Sequence, residues 1–163
     1  AATGKAVEEA GASNFFAVYP NNTIVTPSLD SETILPGVTR SSIIELARRE
    51  CGCTVLEQRL TLEDIRNHGA CEAFCCGTGA SITPVGSITV TRRMAADEDD
   101  ASADGDSEAG DDDESNRRIE FGDGSTPGPL TQRLYNMLLD LQTGVDQELN
   151  EKYQDWIHVV EPQ

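Results

Sequence analysis

Three short stretches carry residues whose types and spacing could do chemistry. Leu35-Pro36-Gly37-Val38-Thr39-Arg40 is a turn that opens directly into the helical run Ser41 to Arg49. Gly37 lets the backbone turn tightly and Thr39 is placed to act as N-cap, so the first free N–H groups of the helix point back at the turn, where the dipole is positive. Such a turn suits an anion, and a phosphate best. Gly77-Thr78-Gly79-Ala80 is a second cradle of this kind, a small-residue turn that brings backbone N–H groups and the Thr78 hydroxyl close to whatever sits above it. The third stretch is the acid pair Glu8-Glu9 ahead of Asn14-Phe15-Phe16. Adjacent side chains on a strand face opposite ways, so only one of the two acids can meet a given ligand. Taken singly, each stretch has a plain structural reading: a capped surface helix, a turn between strands, a solvated acid pair.

The elements that must position these residues follow from periodicity. Lys5 to Gly11 reads as extended, and Asn14 to Tyr19 and Thr23 to Thr26 form a hairpin around Pro20-Asn21-Asn22. Asn21-Asn22-Thr23 matches a glycosylation sequon, but turn chemistry explains both asparagines. Ile43, Ile44, Leu46 and Ala47 give the helix after the first turn an apolar stripe that should lie against a sheet. Thr54 to Leu60 alternates as a strand, and Thr61-Leu62-Glu63-Asp64 starts a short helix with a capping-box acid, ending near Gly69. Cys71 to Cys76 reads as a buried strand, and Ser81 to Ile88 as extended chain. Pro129 stands at a first helical position, with Leu130, Leu134, Met137, Leu138 and Leu141 at helical spacing up to Gly144. The tail Trp156 to Val160 is apolar, and His158 within it reads as a packed structural histidine.

Composition narrows the function classes. The chain has 163 residues, 37% of them hydrophobic, which suffices for one ordinary core. Its net charge of −17 is concentrated: Asp97 to Glu114 is so acid-rich that about −6 remains for everything else. A mildly acidic body argues against nucleic acid and anionic membranes, both of which require clustered Lys and Arg. No apolar run approaches the roughly 20 residues of a membrane span. Residues 94–116 are Asp/Glu/Ser/Ala/Gly without an aromatic residue and read as a disordered insertion inside one domain; an acidic segment recruiting a basic partner is the functional alternative. Five cysteines, an odd number, suit reduced thiols in an intracellular compartment, though cytoplasm, mitochondrion and plastid are not distinguished. His68, Cys71, Cys75 and Cys76 could be assembled as a zinc set, but they lack the paired C-x2-C spacing of structural zinc modules, and buried small side chains are the better expectation.

Four motifs then occur in a telling order: Glu9-Ala10-Gly11 with Asn14-Phe15-Phe16, Leu35 to Arg40, Gly77 to Ala80 with Thr83-Pro84-Val85, and Gly122-Asp123-Gly124 with Pro127 to Thr131 and Leu134-Tyr135. In this order and spacing the chain resembles the branched-chain amino acid aminotransferases, fold-type-IV pyridoxal-phosphate enzymes. The resemblance implies an α/β (α+β) large C-terminal domain, residues 1–163, with a mixed sheet or pseudo-barrel and flanking helices, incomplete at its N-terminus. It implies amino transfer between leucine, isoleucine or valine and 2-oxoglutarate, with pyridoxal 5'-phosphate as cofactor and a homodimer in the full-length enzyme. A D-amino acid aminotransferase or aminodeoxychorismate lyase is the alternative within the fold. A non-catalytic acidic interaction protein on the same scaffold is the alternative outside it.

Residue by residue, the resemblance puts Glu9 against the ring nitrogen, Leu35 against the ring, the phosphate on the Val38 and Thr39 N–H groups with the Thr78 hydroxyl, and the substrate carboxylate on the Thr78 and Gly79 N–H groups. Gly79 replaces the alanine more usual in the family. The family's Schiff-base lysine has no counterpart here, since it lies upstream of the Glu9 motif, so no catalytic residue is expected in this chain. Of the two lysines, Lys5 is about 13 Å of extended backbone from Glu9, and Lys152 lies in a polar tail. The chain alone is therefore expected to be inactive. Without upstream strands, the Ile43 to Ala47 face and the Cys71 to Cys76 strand are expected to lack part of their covering and to promote aggregation.

Overall fold

The computed structural model describes residues 6–31, 33–90 and 118–156. Strands β3 (Ser13–Tyr19) and β4 (Thr23–Thr26) form the expected hairpin, with Ala17 opposite Val25 and Tyr19 opposite Thr23. Asn22 takes the turn at φ 59, a conformation that asparagine tolerates better than most side chains. On its other edge β3 pairs antiparallel with β7 (Glu72–Gly77), which pairs with β8 (Ser81–Pro84). β4 pairs in parallel with β5 (Thr54–Glu57) across a helical crossover, giving the order β5-β4-β3-β7-β8 and a mixed sheet. The expected α/β class with flanking helices is what forms.

The crossover is α1 (Val38–Arg49). Its Ile43, Ile44, Leu46 and Ala47 pack with Phe16, Val18, Ile24 and Phe74 on one sheet face, joined by Leu134, Leu138 and Leu141 of α3 (Pro129–Thr143). Phe16 and Phe74 stack with ring centroids 4.8 Å apart. Phe15, Ala17, Val25, Ala73 and Cys75 point to the opposite face, where Leu60, Ile119 and Phe121 cover them together with Ile65 of α2 (Leu62–Asn67). The strands are thus apolar on both faces, as a sheet covered on both sides requires. The expectation of uncovered faces on α1 and β7 is overturned: Ile43, Leu46 and Ala47 are fully buried and Glu72 to Cys76 are all buried, because α3 and the 118–121 segment supply the cover.

Several boundaries differ from the sequence reading. The extended N-terminal run breaks at Glu8 into β1 (Ala6–Val7), which pairs with β6 (Leu60–Thr61), and β2 (Glu9–Ala10), which pairs with β3. The strand expected over 54–60 breaks at Gln58-Arg59, and Ser81 to Ile88 divides into β8 and β9 (Ser87–Thr89), which pairs with β10 (Arg118–Glu120). Helix α4 (Gln147–Lys152), capped by Asp146, arises in what the sequence presented as a polar tail. The acidic segment 94–116 and His158 lie outside the described residues. Among the described residues no helix is long and apolar enough to cross a membrane.

A buried carboxylate replaces a cap on α3. Gly128 at its N-cap has no side chain to offer, and Glu72 of β7 instead accepts the Thr131 N–H at 2.8 Å, the Thr131 hydroxyl at 2.7 Å and the Leu130 N–H at 3.1 Å. A side chain on residue 128 would collide with that carboxylate.

The helices are latched at the far end by Glu50, whose Oε1 accepts from the Tyr153 hydroxyl at 2.7 Å and pairs with Lys152 Nζ at 2.6 Å. Hydrogen bonds from Lys152 and then Tyr153 hold the Glu50 carboxyl below its ordinary value of 4.5. Thr61, capping α2, likewise lowers Asp64 below 3.8. Each acid is ionised more readily folded than unfolded, so its contribution is present above the unfolded value and is lost as pH falls through the folded one. The thermal midpoint is expected to drop as pH is lowered from about 5 towards 2, with a shallower drop in Glu50→Gln, which starts less stable at neutral pH. Melts across that range that superimpose for the two proteins would remove Glu50 from this role.

Candidate functional site at the start of strand β3

The three chemistry-bearing stretches meet where β3 begins. Asn14 is paired with Glu9 of β2 on one edge and with Cys76 of β7 on the other, so the acid motif and the end of β7 flank the same residue. Gly77 lies against Ser13, with space for a Cβ only 3.3 Å from the serine hydroxyl, and this places the Thr78-Gly79 turn beside the same strand end. The loop 34–37 arrives from the other direction. The Leu35 N–H donates to Glu9 Oε1 at 2.8 Å, and Asn14 Nδ2 donates both to Glu9 Oε1 at 3.1 Å and to the Leu35 carbonyl at 2.9 Å.

Glu9 is half-buried and Glu8 exposed, so the alternation expected of the acid pair is realised even though the strand is broken between them. Among the described residues, the Asn14 and Leu35 donors both land on Glu9 Oε1, and Oε2 is the oxygen left for a further donor. The loop leads at once into α1, whose N-cap is Gly37 in extended conformation with no capping side chain. Thr39 is therefore not the N-cap that the sequence suggested; it is the second helical residue. Gly37, in extended conformation, takes the cap position and starts the helix two residues earlier. No side chain caps this helix start, and the N–H groups of Val38 and Thr39, as first-turn donors, have no acceptor within the helix. Leu35 and Val38 are 67% and 83% exposed, large apolar side chains that nothing described covers.

Arg40, which the sequence reading passed over, fixes the helix start. It is 2% exposed and its Nη2 donates to the Pro27 carbonyl and to Glu57 Oε2, both at 3.0 Å, tying the first turn of α1 to the ends of β4 and β5. An arginine closing a helix's first turn, where the dipole disfavours cations, was the available signal. An open groove of about 590 Å³ between α1 and α3 reaches Trp156 and touches the site only through Val38 and Thr39. Thr78 is exposed on its turn, and a Cβ on Gly79 would meet nothing within 4 Å, so the turn does not depend on glycine at that position.

Other candidates do not join. Cys75 and Cys76 point to opposite sheet faces, so they cannot ligate one metal with His68 and Cys71. Burial pushes the Cys76 thiol up to about 12. All five cysteines are free; Cys53, Cys75 and Cys76 are buried as expected, whereas Cys51 is half-buried and Cys71 exposed. Lys152, the single lysine among the described residues, is held on Glu50 in the α1–α3–α4 cluster.

What the site can do is bind rather than react: a carboxylate held half-buried, an exposed leucine, unshared N–H donors at a helix start, and a turn with a hydroxyl. Residues 3–88 match the family model described as amino-transferase class IV. Among curated proteins, the chain is 38% identical over 155 residues to branched-chain-amino-acid aminotransferase 1, mitochondrial, of Arabidopsis thaliana, covering 95% of this chain and 31% of that protein. It is 32% identical over 139 residues to the branched-chain-amino-acid aminotransferase of Haemophilus influenzae, covering 85% and 32%. Among solved structures, the Escherichia coli branched-chain amino acid aminotransferase superposes with a TM-score of 0.57 at 32% identity over 83% of this chain and 34% of that one. The enzyme from Thermobaculum terrenum in its PLP form gives 0.62 at 27% identity, over 90% and 37%. The chain spans about a third of the length of the curated relatives it matches.

Proposed function

This chain belongs to the class IV aminotransferases, and on that premise we propose that it forms the cofactor-binding part of a branched-chain amino acid transaminase, moving the amino group between leucine, isoleucine or valine and 2-oxoglutarate. Enzymes of this class use pyridoxal 5'-phosphate, which when bound supplies a protonated ring that draws electrons from the reacting carbon. The observation that carries the reading is the Glu9–Leu35 junction, which sets a carboxylate and the start of α1 on either side of an exposed leucine.

The residues fit a phosphorylated ring. Glu9 would hold a proton on the ring nitrogen through Oε2, and Leu35 would lie against the ring. The N–H groups of Val38 and Thr39 and the hydroxyls of Thr39 and Thr78 receive the phosphate at the positive end of α1. The Thr78 and Gly79 N–H groups orient the substrate carboxylate. The family resemblance puts the amine that would react with the cofactor upstream of the Glu9 motif, in the part of the relatives' length that this chain does not span. Amino acid and 2-oxo acid as alternating substrates follow from the names of the relatives.

The phosphate assignment is tested by Thr39→Ala with Thr78→Ala. Losing two hydroxyl donors to a charged group is expected to weaken cofactor retention by about 1–3 kcal/mol in total, with the maximal rate of the complete enzyme unchanged at saturating cofactor. Dialysis that strips cofactor from the double variant no faster than from the parent would place the phosphate elsewhere.

A further inference from the structure

Asn14 joins the two halves of the site. Its place in the sheet, with β2 on one edge and β7 on the other, leaves it 6% exposed and puts its amide between the Glu9 carboxylate and the loop that enters α1. Nδ2 donates to Glu9 Oε1 and to the Leu35 carbonyl, while Glu9 Oε1 also receives the Leu35 N–H, so side chain, acid and loop close a ring of three hydrogen bonds. The amide's orientation is dictated by these partners, because turned over it would set an oxygen against two acceptors. Its Oδ1 meanwhile faces the loop. A Cβ on Gly37 would stand 2.6 Å from it, so the helix can start where it does only because residue 37 has no side chain. Gly37 has an ordinary backbone, φ −67 and ψ 138, and glycine is there for room rather than for conformational freedom.

We propose that Asn14 is a positioning residue that divides the labour of the two Glu9 oxygens, holding Oε1 so that Oε2 is presented to the ring nitrogen. Through the same amide it fixes the loop carrying Leu35 and the first turn of α1, so the ring-nitrogen acid and the phosphate site are set as one unit. An amide with two N–H donors suits this task; an aspartate of the same shape offers neither donor at neutral pH and sets a second negative charge against Glu9. The inference rests on the cofactor reading above.

The experiment titrates pyridoxal 5'-phosphate, labelled with 15N in the ring, into the full 163-residue chain and into Asn14→Ala, Gly37→Ala and Glu9→Gln, with thermal melts of each. Asn14→Ala and Gly37→Ala are each expected to lower cofactor affinity about tenfold, and the 15N shift of the bound ring should move from the protonated towards the unprotonated position, as it does in Glu9→Gln. A merely structural asparagine would lower the melting temperature but leave that shift in place, and this result overturns the proposal. If Asn14→Ala does not fold, Gly37→Ala, which keeps the amide and displaces it, decides by the same two readouts. Wild-type affinity and shift in the asparagine variant, with Glu9→Gln still altered, refutes the role of Asn14 and leaves the cofactor reading intact. Absence of cofactor binding by the parent chain refutes both.

Discussion

Glu9→Gln in the complete enzyme is expected to lower kcat and kcat/KM together by about 10²–10³-fold, with cofactor affinity and fold changed far less. The substitution is clean because the glutamine oxygen can still accept from Asn14 Nδ2 and from the Leu35 N–H, the two bonds that Glu9 Oε1 now receives. What disappears is the negative charge that stabilises a proton on the ring nitrogen. The ring draws electrons effectively only while that nitrogen is protonated, so the loss falls on the transition state rather than on binding. Glu8→Gln is the control: Glu8 is exposed and outside the hydrogen-bond ring, and its kinetics should match those of the parent. Steady-state kinetics with leucine and 2-oxoglutarate check both, and turnover of Glu9→Gln within a few-fold of the parent would remove Glu9 from the ring.

Much of this site could be read from residue types because it is built from local geometry. A helix that starts after Pro36-Gly37 has free N–H groups whatever surrounds it, and a turn spelled Gly-Thr-Gly-Ala has the same property. Alternation is equally local and says that only one of Glu8 and Glu9 can meet a ligand, while the choice of Glu9 is what the family resemblance implies. The missed features depend on partners distant in sequence. Asn14 stood in an aromatic strand run, and its amide acquires meaning only when Leu35, 21 residues on, arrives opposite it. Glu72 looked like one acid in a buried strand, and it caps a helix 58 residues further along the chain. Thr39 offers a hydroxyl that can cap, which makes it the candidate in the sequence, yet glycine is accepted at the N-cap about as readily and Gly37 in extended conformation takes that position. The covering of α1 and β7 was misjudged for the same reason: it comes from α3 and residues 118–121, beyond the acidic segment.

That covering bears on the largest expected effect, a complete absence of transaminase activity in this chain on its own. A core that buries Ile43, Leu46, Phe16 and Phe74 completely with the chain's own elements allows the purified chain to be tested as a folded protein rather than as an aggregate. Activity nevertheless requires an amine that forms a bond to the cofactor and then carries a proton to and from the substrate carbon. Lys152 cannot supply it. Its ammonium is paired with Glu50 at 2.6 Å, in a cluster with Tyr153 and α3 at the C-terminal end of α1, whereas the carboxylate and loop of the site lie at the opposite, N-terminal end of that helix. A 12-residue helix is about 18 Å long, well beyond the reach of a lysine side chain. Lys5 lies outside the described residues. Borohydride treatment of the chain with pyridoxal 5'-phosphate is therefore expected to fix no cofactor on a specific lysine, while mixing or co-expression with the N-terminal portion of a branched-chain relative restores trapping on that portion. Measurable turnover of leucine by the purified chain, or specific trapping on Lys5 or Lys152, would defeat this account of the division between the parts.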